Sequence, residues 1–177
     1  VSDQLRLCVS AGEALPEEVG RDWERRFQVP ILDGLGSTEM LHIFLSNQPG
    51  DIRYGSSGKP VPGYELRIVG ENDIEVPAGE IGELLVCGPS SASCYWNQRD
   101  KSLNTFQGEW TRSGDKYYLD EEGYYCYCGR TDDMLKVSGI WVSPFEVESA
   151  LLGESRVLEA AVVGQEDDQG MVKPKAV

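Results

Sequence analysis

The segment that most constrains the fold of this chain is a short apolar run that leads into glycines. Residues 29–32 favour a strand, and residues 33–39 continue as DGLGSTE. Because Gly has no Cβ, this stretch lets other groups approach its backbone closely. The hydroxyls of Ser37 and Thr38 suit phosphate oxygens, and the carboxylate of Glu39 suits Mg²⁺. By itself the segment predicts either a nucleoside triphosphate site or a plain structural turn.

The residues before this segment predict a strand and a helix. Residues 5–9 alternate loosely, which favours a strand, and residues 16–27 predict a helix with Pro in its first turn. Val19, Trp23 and Phe27 follow a spacing of four residues and form one apolar stripe. We expect this stripe to face the core. The order strand, helix, strand is typical of an α/β layer.

Beyond the first 50 residues, Pro-Gly turns separate short strand-like runs. Residues 64–69 and 83–87 are the clearest of these runs. Residues 116–119 and 124–128 flank a turn that contains Gly and therefore predict a hairpin. We interpret residues 51–131 as a small, distorted β-barrel.

The last part of the chain again predicts a different structure. Residues 143–146 read Ser-Pro-Phe-Glu, which is a capping box with Pro at the first helical position. The helix should end near Gly153, and residues 157–163 favour a buried strand. Residues 132–177 therefore predict the start of a second, α+β domain.

Composition excludes some classes of function. The net charge of −14 argues against nucleic acid, whose phosphates attract basic surfaces. No apolar run approaches the roughly 18 residues of a membrane span, and no secretory signal pattern opens the chain. The five widely spaced cysteines predict free thiols in a reducing cytoplasm, and their spacing argues against zinc.

Four sequence blocks, in this order, resemble the adenylate-forming enzymes. That family includes acyl-CoA synthetases, peptide-synthetase adenylation domains and luciferases. The blocks are SAGEALP at residues 10–16, DGLGSTE at 33–39, TRSGD at 111–115 and GRTDDMLKVSG at 129–139. The segments at residues 36–47 and 137–144 resemble the benzoate–CoA ligase branch in particular.

The resemblance implies both a reaction and a domain organisation. An aromatic carboxylate would react with ATP, in the presence of Mg²⁺, to form an acyl-AMP. Coenzyme A would then give the acyl-CoA, with AMP and pyrophosphate released. Residues 1–131 would end the large N-terminal α/β domain, with an α/β layer over 1–50 and the barrel-like part over 51–131. Residues 132–177 would begin the small α+β lid domain. A homodimer of the full-length enzyme stays open.

The same resemblance assigns a nucleotide site. Its residues are Gly12, Glu13, Ala14, Asp33, Gly34, Ser37, Thr38, Asp115 and Arg130. The first five would surround adenine, Asp115 would accept the ribose hydroxyls and Arg130 would contact ribose or phosphate. Thr38 would act on phosphate and Glu39 on Mg²⁺. Other interpretations are a helix-entry carboxylate for Glu39, turn-capping roles for Asp33 and Asp115, and a surface salt bridge for Arg130.

Further residues are assigned to the acid and to the thioester step. Leu35, Gly36, His42 and Ile43 would line the acyl pocket, although His42 could instead be a hydrogen-bonded core histidine. Asp132 would be the hinge, Lys136 would act in thioester formation and Gly139 would lie beside the pantetheine tunnel. The alternative for the last two is a solvated lysine and a simple turn. Trp141 stands where many family members have an arginine.

Two parts of the family pattern have no counterpart in these 177 residues. They are the Lys-bearing phosphate loop and the lysine of the adenylation step. We therefore expect a fragment of a larger enzyme that does not catalyse ATP–pyrophosphate exchange alone. Two other readings remain: an enzyme that loads a carrier-protein thiol, and a non-catalytic binding or scaffold fragment.

Overall fold

A parallel pair of strands joined by a helix opens the fold. The structure, a computed structural model, describes residues 4–138, 140–168 and 171–177. Strand β1 (Cys8–Ser10) pairs in parallel with β2 (Ile31–Gly36), and α1 (Glu17–Phe27) connects them. Strands β3 (Ile43–Ser46) and β4 (Lys59–Pro60) extend this sheet in the order β1-β2-β3-β4. The predicted strand–helix–strand order is confirmed, although β1 is shorter than residues 5–9 suggested.

The glycines at the end of β2 belong to the strand rather than to a turn. We expected the chain to turn after residue 32, but the turn starts only at Ser37. A Cβ on Gly34 would lie 2.8 Å from the carbonyl oxygen of Leu45, and one on Gly36 would lie 2.8 Å from that of His42. Both glycines are therefore needed because β3 packs against their backbone.

The apolar stripe of α1 does not face the core, which contradicts our expectation. Val19 is 53% exposed and Phe27 is 38% exposed. The helix instead packs through Gly20, where a Cβ would lie 2.3 Å from a ring carbon of Tyr54. Pro16 stands at the N-cap, just before the first helical residue and not within the first turn.

The middle of the chain is a curled, five-stranded antiparallel half-barrel. Its strands are β5 (Glu65–Val69), β6 (Gly82–Cys87), β7 (Phe106–Gln107), β8 (Trp110–Leu119) and β9 (Tyr125–Arg130). A 3-10 turn (Glu71–Asp73) follows β5, and helix α2 (Arg99–Thr105) precedes β7. The predicted hairpin is confirmed as β8–β9, with Gly123 at φ +83° in its turn.

One apolar core joins the first sheet to the half-barrel. Met40, Phe44 and Leu45 come from the β2–β3 region, and Leu84, Val86 and Tyr117 come from the half-barrel. All six side chains are almost completely buried. This core fixes the ends of β2 and β8 in relation to each other, so groups at those ends can form one site.

The C-terminal part consists of two small hairpins and a helix. Its elements are β10 (Leu135–Val137), β11 (Ile140–Val142), α3 (Pro144–Leu152), β12 (Val162–Glu166) and β13 (Val172–Ala176). The N-cap of the predicted capping box is confirmed: Ser143 Oγ accepts a hydrogen bond from the N–H of Glu146 at 3.0 Å, and Pro144 is the first helical residue. The strand predicted over residues 157–163 is wrong, since β12 starts at Val162, the one buried residue of that strand.

None of the helices among the described residues is long and apolar enough to span a membrane.

Candidate functional site

Separate parts of the sequence line one cavity of about 460 Å³. Most of its wall comes from the segment after β1, the end of β2, helix α2 with the loop before it, and the β8–β9 pair. Of the residues assigned from the sequence, those on the cavity wall are Gly12, Glu13, Ala14, Asp33, Gly34, Leu35, Gly36, Ser37, Glu39, Asp115 and Arg130. Further lining residues include Ser57, Glu83, Tyr95, Lys101, Asn104, Thr105, Arg112, Tyr117 and Tyr127.

Asp33 is a buried carboxylate with an unused oxygen. It lies in β2 beside the end of β1 and is 5% exposed. The backbone N–H of Leu15 lies 3.5 Å from Oδ2, whereas Oδ1 is buried without a hydrogen-bond partner. Burial raises the pKa of Asp33 to about 6, against a smaller lowering by the Leu15 N–H. Because an unsatisfied buried acceptor is costly, Oδ1 is suited to accept an N–H from a bound molecule.

Asp115 and Arg130 form an ion pair across the β8–β9 ladder. The two residues stand opposite each other in the strand register, and Arg130 Nη1 lies 2.8 Å from Asp115 Oδ1. Arg130 Nη1 also donates to the carbonyl of Ser113 at 3.1 Å. Burial raises the pKa of Asp115, and the hydrogen bond from Arg130 opposes that rise. A hydrogen bond with the Ser113 side chain also opposes it. The carboxylate remains an acceptor on the cavity wall, where it can accept hydroxyl groups.

Gly114 is required beside this pair. Its φ is +75°, and a Cβ there would lie 2.8 Å from Arg130 Nη2. A side chain at this position would therefore both strain the backbone and displace the guanidinium.

Glu39 enters the cavity with its charge stabilised. Tyr95 Oη donates to Glu39 Oε1 at 2.5 Å. Burial raises the pKa of Glu39, but hydrogen bonds from Tyr95 and Ser37 and the charge of Lys101 outweigh it, so the net pKa is lowered. The carboxylate therefore stays ionised near neutral pH and offers negative charge to a cation in the cavity.

Sequence reasoning missed several groups on the cavity wall. Tyr95 and Lys101 lie on a loop and helix that follow β6, and Arg112 and Glu83 pair at 2.7 Å on neighbouring strands. Tyr95, Lys101 and Glu83 belong to no motif that we recognised, and Arg112, which lies in the block at residues 111–115, was assigned no role. Tyr95 reaches Glu39 from 56 positions away, so only the folded chain reveals the contact.

Three of the assigned residues near β2 and β3 lie off the cavity. Thr38 is exposed in the turn after Ser37, and its carbonyl accepts from the N–H of Leu41 at 3.3 Å. Ile43 does not line the cavity either. His42 is exposed, with Nδ1 2.7 Å from the carbonyl of Ile43 and Nε2 2.9 Å from Tyr64 Oη. It is hydrogen-bonded, but it is not a core histidine.

The residues assigned to the thioester step also lie away from the cavity. Asp132 is exposed in the turn between β9 and β10. Lys136 is exposed on β10, and its Nζ lies 5.5 Å from the ring centroid of Trp141 on β11. Gly139 lies outside the described residues. In this arrangement the described residues of the β10–β11 hairpin therefore do not contribute to the wall around Asp33 and Asp115.

Comparison with known proteins agrees with this geometry. Residues 1–96 match the family described as AMP-binding enzyme. The chain belongs to the AMP-binding enzyme family. The matched residues include the blocks at residues 10–16 and 33–39, which supply the part of the cavity formed by β1 and β2.

Two curated relatives of this AMP-binding chain are aromatic acid ligases. It is 66% identical over 174 residues to the benzoate–CoA ligase of Thauera aromatica, which covers 98% of this chain and 33% of that protein. It is 62% identical over 174 residues to a 4-hydroxybenzoate–CoA/benzoate–CoA ligase of Rhodopseudomonas palustris, covering 98% and 32%. The chain thus spans about a third of the length of the curated relatives it matches.

The chain is also similar to solved structures of aromatic acid–CoA ligases. An anthranilate CoA ligase in complex with anthranoyl-AMP matches with a TM-score of 0.93 and 56% identity, over 97% of this chain and 33% of that one. A benzoate CoA ligase from Burkholderia xenovorans LB400 matches with a TM-score of 0.90 and 56% identity, over 97% and 34%. The mixed α/β fold expected from the resemblance is therefore confirmed.

Proposed function

We propose that the protein carrying this chain is an ATP-dependent ligase for an aromatic acid such as benzoate. It forms the acyl-AMP and then the acyl-CoA. The observation that carries the proposal is the convergence of four sequence blocks on one cavity with an unpaired buried acceptor at Asp33. Relatives named for benzoate and hydroxybenzoate, and a similar structure that holds anthranoyl-AMP, support the aromatic acid.

The nucleoside would lie between Asp33 and Asp115. Asp33 Oδ1 is an acceptor without a donor, which fits the exocyclic amino group of adenine. The segment formed by Gly12, Glu13 and Ala14 lines the same part of the cavity, and so does Gly34. The Asp115 carboxylate would accept the ribose hydroxyls while Arg130 balances its charge. Burial of both carboxylates makes these contacts stronger than they would be in water.

Glu39 would hold Mg²⁺, and the residues present fit that ion. Mg²⁺ in nucleotide sites is commonly held by one or two carboxylates together with substrate phosphates and water. Glu39 offers one ionised carboxylate, and the described residues contain no cluster of three or more metal-binding side chains. The bound ion would offset phosphate charge. Ser37 and Thr38 would donate their hydroxyls to phosphate oxygens.

We assign the acid and thioester steps to residues that follow the nucleotide site. Leu35, Gly36, His42 and Ile43 would face the aromatic acid. Lys136 and Gly139 would serve thioester formation after residues 132–177, as a separate lid domain, rotate about Asp132. The exposed position of Lys136 supports this proposal, because a lysine held on the cavity wall would need no such movement.

Two further proposals concern the cellular compartment and the oligomeric state of the enzyme. All five cysteines are free, which is compatible with a reducing cytoplasm. We also propose that the full-length enzyme forms a homodimer, which sedimentation would test.

The test separates the two half-reactions in the protein expressed from the complete reading frame. We expect benzoate-dependent ATP–pyrophosphate exchange and benzoyl-CoA formation. Asp115→Asn should lower kcat/KM about 100-fold in both assays, since charge-assisted contacts to the ribose are lost. Lys136→Ala should lower thioester formation by at least about tenfold and leave exchange within about twofold. Absence of exchange with benzoate, hydroxybenzoates and anthranilate would refute the proposed function.

A further inference from the structure

Three cationic side chains line the cavity, and two of them are neutralised by the protein. Arg130 pairs with Asp115 at 2.8 Å. Arg112 pairs with Glu83 at 2.7 Å and also with Asp73. Lys101 forms no salt bridge with any residue in the described part of the chain. It is therefore a cavity-lining cation whose charge is still available to a ligand.

Lys101 is held in place through Tyr95. The ammonium Nζ lies 4.2 Å from the centroid of the Tyr95 ring, within the range of a cation–π contact. The backbone N–H of Tyr95 donates to Ser102 Oγ at 2.9 Å, which ties the start of α2 to the preceding loop. The phenol oxygen of Tyr95 contacts Glu39. Tyr95 therefore fixes Lys101 and Glu39 at the same end of the cavity.

The face of α2 around Lys101 is directed to the ligand space. Lys101, Asn104 and Thr105 all line the cavity. Their spacing of three and four residues places them on one side of the helix. The N–H of Ala92 donates to the carbonyl of Glu39 at 2.8 Å, so the loop that leads to α2 is attached to the Glu39 segment as well.

The negative charge around the cavity would repel phosphate groups unless a cation such as Lys101 offset it. The acidic residues that line the cavity are Glu13, Asp33, Glu39, Glu83 and Asp115. A triphosphate brings further negative charge into this surrounding. A lysine ammonium is a compact point charge that suits phosphate oxygens. Lys101 lies at the Glu39 end, whereas Asp33 and Asp115 mark the nucleoside end.

We propose that Lys101 contacts the β- and γ-phosphates of ATP, the part that leaves as pyrophosphate, with Tyr95 as the residue that positions it. This assignment rests on the proposed function for the identity of the nucleotide. The alternative is that Lys101 is a solvated lysine with no part in binding. The two differ in which ligands lose affinity when the ammonium is removed.

The experiment compares three ligands in the protein from the complete reading frame. Calorimetry would measure binding of MgATP, magnesium pyrophosphate and AMP to the wild type, Lys101→Ala, Lys101→Arg and the control Arg99→Ala. Arg99 is an exposed cation on the same helix that does not line the cavity. We expect Lys101→Ala to weaken MgATP and pyrophosphate about tenfold and to leave AMP unchanged. Lys101→Arg should retain most of the affinity, and Arg99→Ala should bind as the wild type does.

Two results would overturn the assignment. Equal affinity of wild type and Lys101→Ala for MgATP would show that the lysine is solvated. An equal loss for AMP and MgATP would place its effect on the nucleoside or on the fold. Neither measurement needs an acid or coenzyme A. A wild type that binds MgATP but activates no aromatic acid would therefore refute the proposed function while still testing Lys101.

Discussion

The residues up to 130 and those from 132 onwards are held by different amounts of packing. All the buried apolar side chains of the described residues precede residue 130, except Val162. The cavity lies entirely within the first region. In the second region Trp141 is 59% exposed and Leu158 is 90% exposed. The first region therefore holds its cavity-lining groups on a packed apolar core, whereas the described residues of the second region form little core of their own.

Contacts between α3 and β9 join the two regions beyond the turn at Asp132. Ser143, the N-cap of α3, is buried and donates to the carbonyl of Cys128 on β9. Phe145 packs edge-on against Tyr127, with ring centroids 5.0 Å apart. Both contacts hold α3 against the half-barrel in this arrangement.

The strongest test of this contrast compares one core residue from each region. Phe44 is fully buried between the first sheet and the half-barrel, so Phe44→Ala should lower the free energy of unfolding by about 3–5 kcal/mol. Val162→Ala removes two methyl groups and should cost roughly 1.5 kcal/mol. It should also leave MgATP affinity unchanged. Urea unfolding monitored by tryptophan fluorescence measures the free energy of unfolding of both variants. Similar losses for the two variants would show that the regions are equally packed.

A second prediction concerns the pH dependence of stability, which should reflect the cost of burying the ionised carboxylate of Asp33 in the first region. Folding raises the pKa of Asp33 from 3.8 to about 6, so the folded protein binds this proton more tightly than the unfolded chain does. The stabilisation from Asp33 is thus complete below the unfolded pKa and is lost as pH rises through the folded pKa. This group should make the protein roughly 1.4 kcal/mol more stable at pH 5 than at pH 7.5.

Asp33→Asn should remove that part of the pH dependence. Unfolding free energies at pH 5 and pH 7.5, measured without nucleotide, give the comparison. Asp22→Asn is the matched control, because Asp22 is an exposed carboxylate on α1. The control should keep the wild-type pH response. If Asp33→Asn keeps it too, then Asp33 is already ionised at pH 5 or is not buried in solution.

Local signals in the sequence predicted local structure well. The N-cap at Ser143 and the hairpin at Gly123 depend only on neighbouring residues, and both are confirmed. The stripe on α1 shows the limit of this approach. Periodicity indicates an amphipathic helix, but it does not say whether another element covers the apolar side, and here Gly20 makes the packing contact.

Features that depend on distant residues could be predicted only in part. Gly34 and Gly36 were interpreted as a turn open to close approach, but they lie in β2 and the group that approaches them is the backbone at β3. Asp115 and Arg130 were each assigned to the nucleotide, yet their pairing follows from strand register. Tyr95 carries no local signal at all, because its role depends on a contact with Glu39 that folding creates.

The smallest expected effect concerns the contact between Tyr95 and Glu39. It tests whether the first region holds its cavity groups in place before a ligand binds. Tyr95→Phe removes the donor to Glu39 and leaves the ring that lies against Lys101. Burial raises the pKa of Glu39 and the Tyr95 hydrogen bond lowers it, so the variant should bind protons more readily at this carboxylate. We expect the Mg²⁺ concentration for half-maximal ATP–pyrophosphate exchange to rise about fivefold at pH 8, and further at pH 6.

Tyr124→Phe is the matched control for this last variant. Tyr124 also donates its phenol proton to a carboxylate, that of Asp51, but it lies outside the cavity. Its loss should leave the Mg²⁺ requirement unchanged at both pH values. A pH-independent loss in Tyr95→Phe would mean that the tyrosine acts only by supporting the loop. A rise that grows as pH falls would identify the phenol as the group that keeps Glu39 ionised for the metal.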